Sequence, residues 1–376
     1  MTGNSLDAVD TVLTEFDGHK IKDIAFHSKP YPPELVREFL ALKLLLKNNR
    51  GNVKNLNVDN LHEKYINLVA QTVKELIANH KLPIDIIGFH GQTCYHLPPS
   101  IAKSKQDVKT VQLGSGQKLA DLLDIPVAYD FRSDDIFNGG EGAPLAPIHN
   151  LHLAQNLGLN SVAFLNAGNT GNIAIINKNN VIGFDVGPCN HLIDQLCREV
   201  KDIPFDLDGR YGKKGRINQD YLQLLIDHSA ITQKGENFYR KTPPKSSDPA
   251  WYKLPEMNIK FEDKIRTLEH FSAYLFVDAL RFSLHQPNHF FLFGGGWNNP
   301  IILEDFKKMP PKSKIEKLKD AQYLEARIFA DAARCKLENI PFTLPQTTGC
   351  KSPTLCGLIA RPGEHPSQIW SRSALR

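Results

Sequence analysis

Ser161-Val162-Ala163-Phe164-Leu165-Asn166-Ala167-Gly168-Asn169-Thr170-Gly171-Asn172 reads as an apolar strand that runs into a loop of small residues. Residues 173–176, all apolar, read as a second strand, residues 177–180 as a turn, and a third strand ends at Asp185. The layout recurs at the start of the chain. There Thr2-Gly3-Asn4-Ser5 precedes a strand over residues 9–16, a turn at Gly18 and a strand through Ile24-Ala25-Phe26. Each segment is a small-residue loop followed by a β-hairpin, and each opens an α/β half. The repetition predicts a duplicated two-domain α/β chain with a seam near Asn160, residues 1–160 forming the first domain and 161–376 the second.

Between the two loops, helix and strand patterns alternate. Residues 61–79 are amphipathic at helical spacing, residues 84–89 form a short buried strand, and 108–113 and 125–131 read as further strands. In the second half, residues 271–284 and 321–337 read as helices, and His289-Phe290-Phe291-Leu292-Phe293 is a strand entering Gly294-Gly295-Gly296. The Pro-rich, charged stretch 241–255 reads as a surface excursion with little regular structure.

At 376 residues the chain is long for one core, which also favours two domains. Its 41% apolar and 23% charged residues are ordinary for a soluble globular protein. A net charge of +4, with both signs plentiful, singles out no polyanion. The densest basic stretch, 307–319, is broken by Pro310-Pro311 and Glu316 and reads as a solvated loop and helix start, not a nucleic-acid surface. The six cysteines form no CxxC pair and have no His at metal spacing, so reduced thiols are expected. No apolar run approaches the ~20 residues of a membrane span, and no signal-peptide pattern opens the chain. A soluble, cytoplasmic protein is the expectation.

Several loops offer chemistry. Gly183-Phe184-Asp185-Val186-Gly187-Pro188-Cys189-Asn190 places one carboxylate after an apolar strand, before a Gly-Pro turn. An acid at the carboxyl edge of an open α/β sheet stands where ligands bind, although an Asp here also suits a cap for a helix starting near Asn190. Thr2-Gly3-Asn4-Ser5 and residues 166–172 let backbone N–H groups approach a phosphate. Gly294-Gly295-Gly296 permits a nucleotide to lie against the backbone, or a strand to pack closely on a helix start. Phe89-His90-Gly91-Gln92-Thr93 presents an imidazole, an amide and a hydroxyl, groups that read sugar hydroxyls and N-acetyl groups. Arg132, near Gly139-Gly140-Glu141-Gly142-Ala143-Pro144, suits a carboxylate or phosphate, or a surface ion pair.

Taken in order, these motifs resemble the anhydro-N-acetylmuramic acid kinases of the sugar kinase, Hsp70 and actin superfamily, over essentially the whole chain. Met1-Thr2-Gly3-Asn4-Ser5-Leu6-Asp7-Ala8-Val9-Asp10 is similar to the family's M-S-G-T-S-L-D-G-x-D nucleotide loop, and residues 183–190 to its G-F-D-T-G-P-G-N. Residues 89–93, 130–144, Phe205-Asp206-Leu207-Asp208-Gly209, Pro243-Pro244-Lys245-Ser246, 294–296, Glu325-Ala326 and Thr348-Gly349 follow at the family's places. The resemblance implies a two-domain actin-like ATPase (ribonuclease H-like) α/β fold with an interdomain cleft. It also implies a reaction using ATP and Mg2+ that opens the sugar's anhydro bridge with water and phosphorylates the freed 6-oxygen, in peptidoglycan recycling. Asp185 would be the general base. ATP would be held by Gly3, Asn4, Ser5, Leu6, Asp7, Ala8, Val9 and Asp10, with Gly168, Asn169, Gly294, Gly295 and Gly296. The sugar would be held by His90, Gln92, Thr93, Arg132 and Glu325. A homodimer is the family's expectation.

The departures fall on working loops. Asn4 stands for Thr, Ala8 for Gly, Asn169 for a Gly able to be left-handed, Glu141 for Gln, Cys189 for Gly, and Ser247-Asp248-Pro249-Ala250 for T-G-R-E. They leave a second reading open: a muramyl-sugar or nucleotide sensor that does not turn over. Family members also carry an apolar strand just before this Met, so a strand upstream of Met1 is expected to complete the first sheet.

Overall fold

The hairpin read at residues 161–185 folds as three antiparallel strands in the computed structural model. The structure describes all residues except 4, 5, 19, 79, 81, 310–312, 365–367 and 376. In chain order the strands are β1 (Ala8–Asp17), β2 (Lys20–Pro30), β3 (Ile87–Phe89), β4 (Gln92–Leu97), β5 (Lys109–Leu113), β6 (Val127–Tyr129), β7 (Ser161–Ala167), β8 (Thr170–Asn177), β9 (Asn180–Pro188), β10 (His289–Phe293), β11 (Lys314–Lys317) and β12 (Leu358–Ala360). The main helices are α1 (Pro33–Asn48), α2 (Asp59–Ala78), α3 (Gly116–Leu123), α4 (Phe131–Phe137), α5 (Ala146–Asn156), α6 (Asn190–Lys201), α7 (Gln219–His228), α8 (Phe261–Ala279), α9 (Pro300–Lys308) and α10 (Leu324–Leu337).

The chain packs as two units: Met1–Pro98, Ser104–Asn156 and Tyr323–Arg376 form unit 1, and Pro99–Lys103 with Leu157–Gln322 form unit 2. The change of unit after Asn156 lies close to Asn160. Tyr323–Arg376, however, was expected in the second domain and belongs to unit 1. The cause is tertiary. The buried face of α10 (Ala326, Phe329, Ala333) packs on β1 and β3 so tightly that a Cβ at Gly88 would overlap the Phe329 carbonyl. Further along, β12 pairs with β6.

In unit 2 one sheet runs β11-β10-β7-β8-β9. β7, β8 and β9 are antiparallel, while β10 and β11 lie parallel to β7 on its other side. This is the ribonuclease H-like arrangement expected. Val162, Ala163, Phe164 and Leu165 are wholly buried, as a central strand covered on both faces requires. The Trp297 indole donates to the Leu165 carbonyl (3.0 Å) and packs against Phe276 and Phe306. Within the basic stretch 307–319, Lys307 and Lys308 end α9 and Lys314–Lys317 forms the edge strand β11 where a helix start was expected, while 310–312 lie outside the described residues.

Unit 1 repeats the hairpin as β1-β2 and the parallel pair as β3-β6, with a separate β4-β5 hairpin. Tyr31, Phe39, Tyr65 and Phe89 form its aromatic core. The strand expected over 125–131 stops at Tyr129, because Asp130 is left-handed (φ 56°) and starts α4. In unit 2, β7 fills the place between hairpin and parallel pair. At that place in unit 1 the described residues contain a cavity of about 650 Å³, bounded by residues 10–16 of β1, residues 84–89, and Val69, Val73 and Leu76 of α2. Met1 borders it and has already begun a ladder on β1: its amino group donates to the Asp10 carbonyl (2.7 Å) and the Asp10 amide donates back (2.9 Å). Among the described residues no helix is long and apolar enough to cross a membrane. All six cysteines are free and buried.

Candidate functional site

Asp185 lies within β9, not at its end, since the strand continues to Pro188. Asn172 faces Asp185 and Gly171 faces Gly187, which leaves Val186 as the extra residue of a bulge, a device that re-aims neighbouring side chains. Gly187 has φ +142°, and a Cβ there would lie 2.6 Å from the Tyr239 ring. Asp185 is not a helix cap either, because α6 is preceded by Cys189 without a side-chain cap.

β9 is an edge strand, and residues 245–247 cover it. The Asp185 amide donates to the Lys245 carbonyl (3.0 Å). Its carboxylate Oδ2 accepts from the Ser246 hydroxyl and the Ser247 amide, both at 2.9 Å. Asp185 is 5% exposed. Two donors on one oxygen fix the rotamer of a carboxylate that remains an acceptor, the requirement for a positioned base. The hold extends further: Ser247 Oγ and Tyr252 OH are 2.5 Å apart, and Tyr252 donates to Thr170 Oγ1 (3.2 Å) at the start of β8. Burial, then the Asp185 charge, raises the Tyr252 phenol well above its usual value, so it stays a neutral donor. Tyr252→Phe should therefore lower kcat about 3- to 10-fold, the scale of one lost positioning hydrogen bond, with Tm nearly unchanged. Steady-state kinetics and a melting curve decide it. Sequence reading missed Ser246, Ser247 and Tyr252, because a segment without periodicity gives no sign of which strand edge it covers.

The two loops of unit 2 do come together. A Cβ at Gly294 (φ +92°) would lie 2.5 Å from Asn166 Oδ1, and one at Gly296 would lie 2.6 Å from Asn190 Oδ1. Close packing thus accounts for these two glycines, and Gly295 alone meets open space. Gly294→Ala should lower Tm by several degrees, through strain and overlap of about 1–3 kcal/mol. Gly295→Ala should leave Tm within about 1 °C and instead weaken ATP binding, read by calorimetry. The Cys189 and Asn190 amides donate to the Asn169 and Gly168 carbonyls, both 3.0 Å, seating the start of α6 on the loop. Neither Gly168 nor Asn169 is left-handed, so Asn169 meets no left-handed strain where the family has Gly. Cys189 (φ −116°) likewise has no need of glycine.

In unit 1, His90 follows β3 and is buried. Its Nδ1–H donates to the Gly91 carbonyl (2.8 Å), so its Nε2 accepts from Arg132 Nε (2.8 Å). Burial and the Arg132 charge hold its pKa well below the usual value, and the ring is neutral. Arg132 Nη1 donates to the Gly142 carbonyl (2.7 Å), so the glycine-rich turn orients the guanidinium. Gln92, expected to touch sugar, uses its amide internally: Oε1 accepts from Tyr31 (2.9 Å) and Nε2 donates to the Gly3 carbonyl (3.1 Å). Thr93 is also buried, near Gln112. Glu325 is exposed at the first turn of α10, within electrostatic reach of Asp10, the Met1 amino group, Asp7 and Arg132.

Of the expected nucleotide loop, Asn4 and Ser5 lie outside the described residues. Thr2 bonds Tyr65 (3.0 Å), Leu6 and Val9 are core, Ala8 opens β1, and the Asp7 carboxylate accepts from the Ala8 amide (2.9 Å). Elsewhere in unit 1, His149 and His152 of α5 both bond Asp331 of α10, beside Cys335. Arg334 already supplies the cation there, 2.8 Å from Asp331 Oδ1, so this cluster braces two helices.

The family described as Anhydro-N-acetylmuramic acid kinase matches residues 1–362. Proteins of that name from Phenylobacterium zucineum and Nitrobacter winogradskyi are 33% and 31% identical over 379 and 381 residues, each match covering 96% of this chain and 98% of the relative. Solved structures overlap more loosely. A ROK hexokinase from Thermus thermophilus gives a TM-score of 0.41 at 11% identity, covering 88% of this chain and 100% of its own. A ROK family glucokinase from Streptomyces griseus, in complex with glucose and AMPPNP, gives 0.38 at 13%, covering 87% and 99%. With a family match over nearly its full length and relatives at this identity, the chain belongs to the anhydro-N-acetylmuramic acid kinase family.

Proposed function

We propose that this chain opens the anhydro bridge of anhydro-N-acetylmuramic acid with water and phosphorylates the freed 6-oxygen from ATP, giving N-acetylmuramic acid 6-phosphate for cell-wall recycling in the cytoplasm. The observation that carries this reading is the clamp on Asp185, a buried carboxylate held by Ser246 and Ser247. This carboxylate takes a proton from the water that attacks the anomeric carbon. The anomeric carbon–oxygen bond breaks, and the released 6-oxygen attacks the γ-phosphorus of ATP with loss of ADP. General base catalysis contributes roughly 10²–10⁴-fold to such a step, and phosphoryl transfer then asks mainly for positioning and charge stabilisation.

His90 and Arg132 are the groups assigned to the sugar, the neutral His90 ring orienting the guanidinium and Arg132 suiting the sugar's lactyl carboxylate. Gln92 acts indirectly, by bracing the loop at Gly3. Asp185 is the base, and Gly295 offers open backbone for the nucleotide. Asp7, Asp10 and Glu325 are oxygen donors that would hold Mg2+, which would supply charge neutralisation at the phosphates.

The sensor reading rested on altered loops. Asn169 and Cys189 sit there without left-handed backbone, so neither change strains its loop through a left-handed residue. The test is ADP release. It should require the anhydro sugar, ATP and Mg2+ together, and release with another amino sugar alone would overturn the substrate assignment.

A further inference from the structure

Lys245 is a buried cation that the chemistry above leaves unused. It is 2% exposed, and its Nζ donates to the Phe238 and Tyr239 carbonyls at 3.1 and 3.2 Å. Three aromatic rings surround the ammonium, with centroids 4.7 Å (Phe238), 5.5 Å (Phe282) and 6.0 Å (Phe184) away. Phe184 directly precedes Asp185, and the backbone carbonyl of Lys245 receives the Asp185 amide. The next two residues hold the carboxylate. One caged side chain therefore anchors the whole segment that clamps the carboxylate.

From these contacts we infer that Lys245 is a positioning residue for Asp185: its caged ammonium fixes residues 245–247 against β9 and biases the Asp185 carboxylate toward its ionised form. The inference rests on reading Asp185 as the base. A solvated surface lysine would serve neither purpose, because its charge would be screened and its chain mobile. Cation–π contacts strengthen when desolvated, as here. The charged groups around the ammonium are Asp185 on β9, Asp278 on α8, Arg281 just after it, and Lys241 on the preceding loop. Burial, then Arg281, lowers the Lys245 pKa to about 7, against the opposing pull of Asp278 and Asp185. Burial raises the neighbouring Tyr239 phenol well above its usual value, so it stays neutral.

The experiment uses the full chain with ¹³C-carboxyl aspartate, the Asp185 signal being assigned by its loss in Asp185→Asn. Lys245→Met should raise the pKa of that signal by about one unit or more, as removal of a nearby cation does. The acid limb of kcat should move up with it. kcat at pH 7 should fall roughly 10- to 100-fold, the scale of a misplaced catalytic group, while the KM values for sugar and ATP stay within about threefold. Lys245→Arg, which keeps the charge, should recover most of the carboxyl pKa. Should Lys245→Met fail to fold, Phe282→Leu, which removes one ring of the cage, should shift the carboxyl in the same direction by less. A folded variant whose Asp185 signal titrates as in the parent overturns the inference, even with Asp185→Asn inactive. If Asp185→Asn is active, the base reading falls, yet the carboxyl titration still decides whether Lys245 biases that side chain.

Discussion

Asp185→Asn lowers kcat by roughly 10²–10⁴-fold, the share a positioned base contributes, and leaves sugar and ATP binding intact. The substitution is nearly isosteric. The Asn carbonyl still accepts from Ser246 Oγ and the Ser247 amide, which in the parent both reach a single oxygen. Both of these donors keep an acceptor, so Tm should move by no more than about 2 °C. Ser246→Ala removes one of the two donors and should give an intermediate loss, about tenfold, with the Ser247 amide still in place. ADP release against time, with calorimetric binding of both substrates, separates these outcomes. Loss of sugar binding in Asp185→Asn would instead make the residue a substrate ligand.

An apolar strand of about seven residues joined to the amino group of Met1 raises Tm by roughly 5–10 °C. The cavity of about 650 Å³ lies between the β1 edge and residues 84–89, at the place β7 holds in unit 2. Its lining is mostly apolar, and burying both faces of such a strand is worth several kcal/mol. In a domain of this size each kcal/mol moves Tm by roughly 2–4 °C. The hydrogen-bonded pair Met1–Asp10 and the bridge Thr2–Val9 already set the register. A strand with Lys at alternate positions should give no gain, because one face would bury charge.

A pH dependence accompanies this. Burial lowers the Met1 amino group from about 8 to about 6. Between those values the unfolded chain binds the proton and the folded chain does not, so stability falls as pH drops from 8 to 6. Joining any residue to Met1 converts the amine to an amide and removes that dependence. Urea midpoints at pH 6 and pH 8, for the chain with and without the added strand, test both points. Equal melting temperatures for the apolar and Lys-bearing extensions would contradict the account of the cavity.

The doubled loop and hairpin were legible because each strand of 161–185 is bounded by its own turn residues. Pairing nevertheless extends through Ala167 and from Thr170, which shrinks the expected loop 166–172 to a tight turn, and β9 runs past Asp185 to Pro188. What stayed hidden depends on partners far along the chain. Nothing near Tyr323 announces that α10 returns to unit 1; the contact that places it is the closeness of Phe329 to Gly88. The glycines at 294 and 296 look like 295 in sequence, yet only neighbours from residues 166–190 show that packing accounts for two of the three. Gln92 presents an amide suited to sugar, and Tyr31 and the Gly3 carbonyl occupy it. Asp185 was legible as an acid after an apolar strand. The residues that hold it come from a Pro-rich excursion whose pattern says nothing of where it lands.

The most direct test of the central claim is mass spectrometry of the sugar product, after incubating the chain with anhydro-N-acetylmuramic acid, ATP and Mg2+ in H₂¹⁸O. The account predicts a product heavier than the substrate by one ¹⁸O-labelled water and one phosphoryl group, formed by the parent and absent with Asp185→Asn. A product that gains the phosphoryl group without the water would contradict it, as would ADP release that leaves the sugar unchanged.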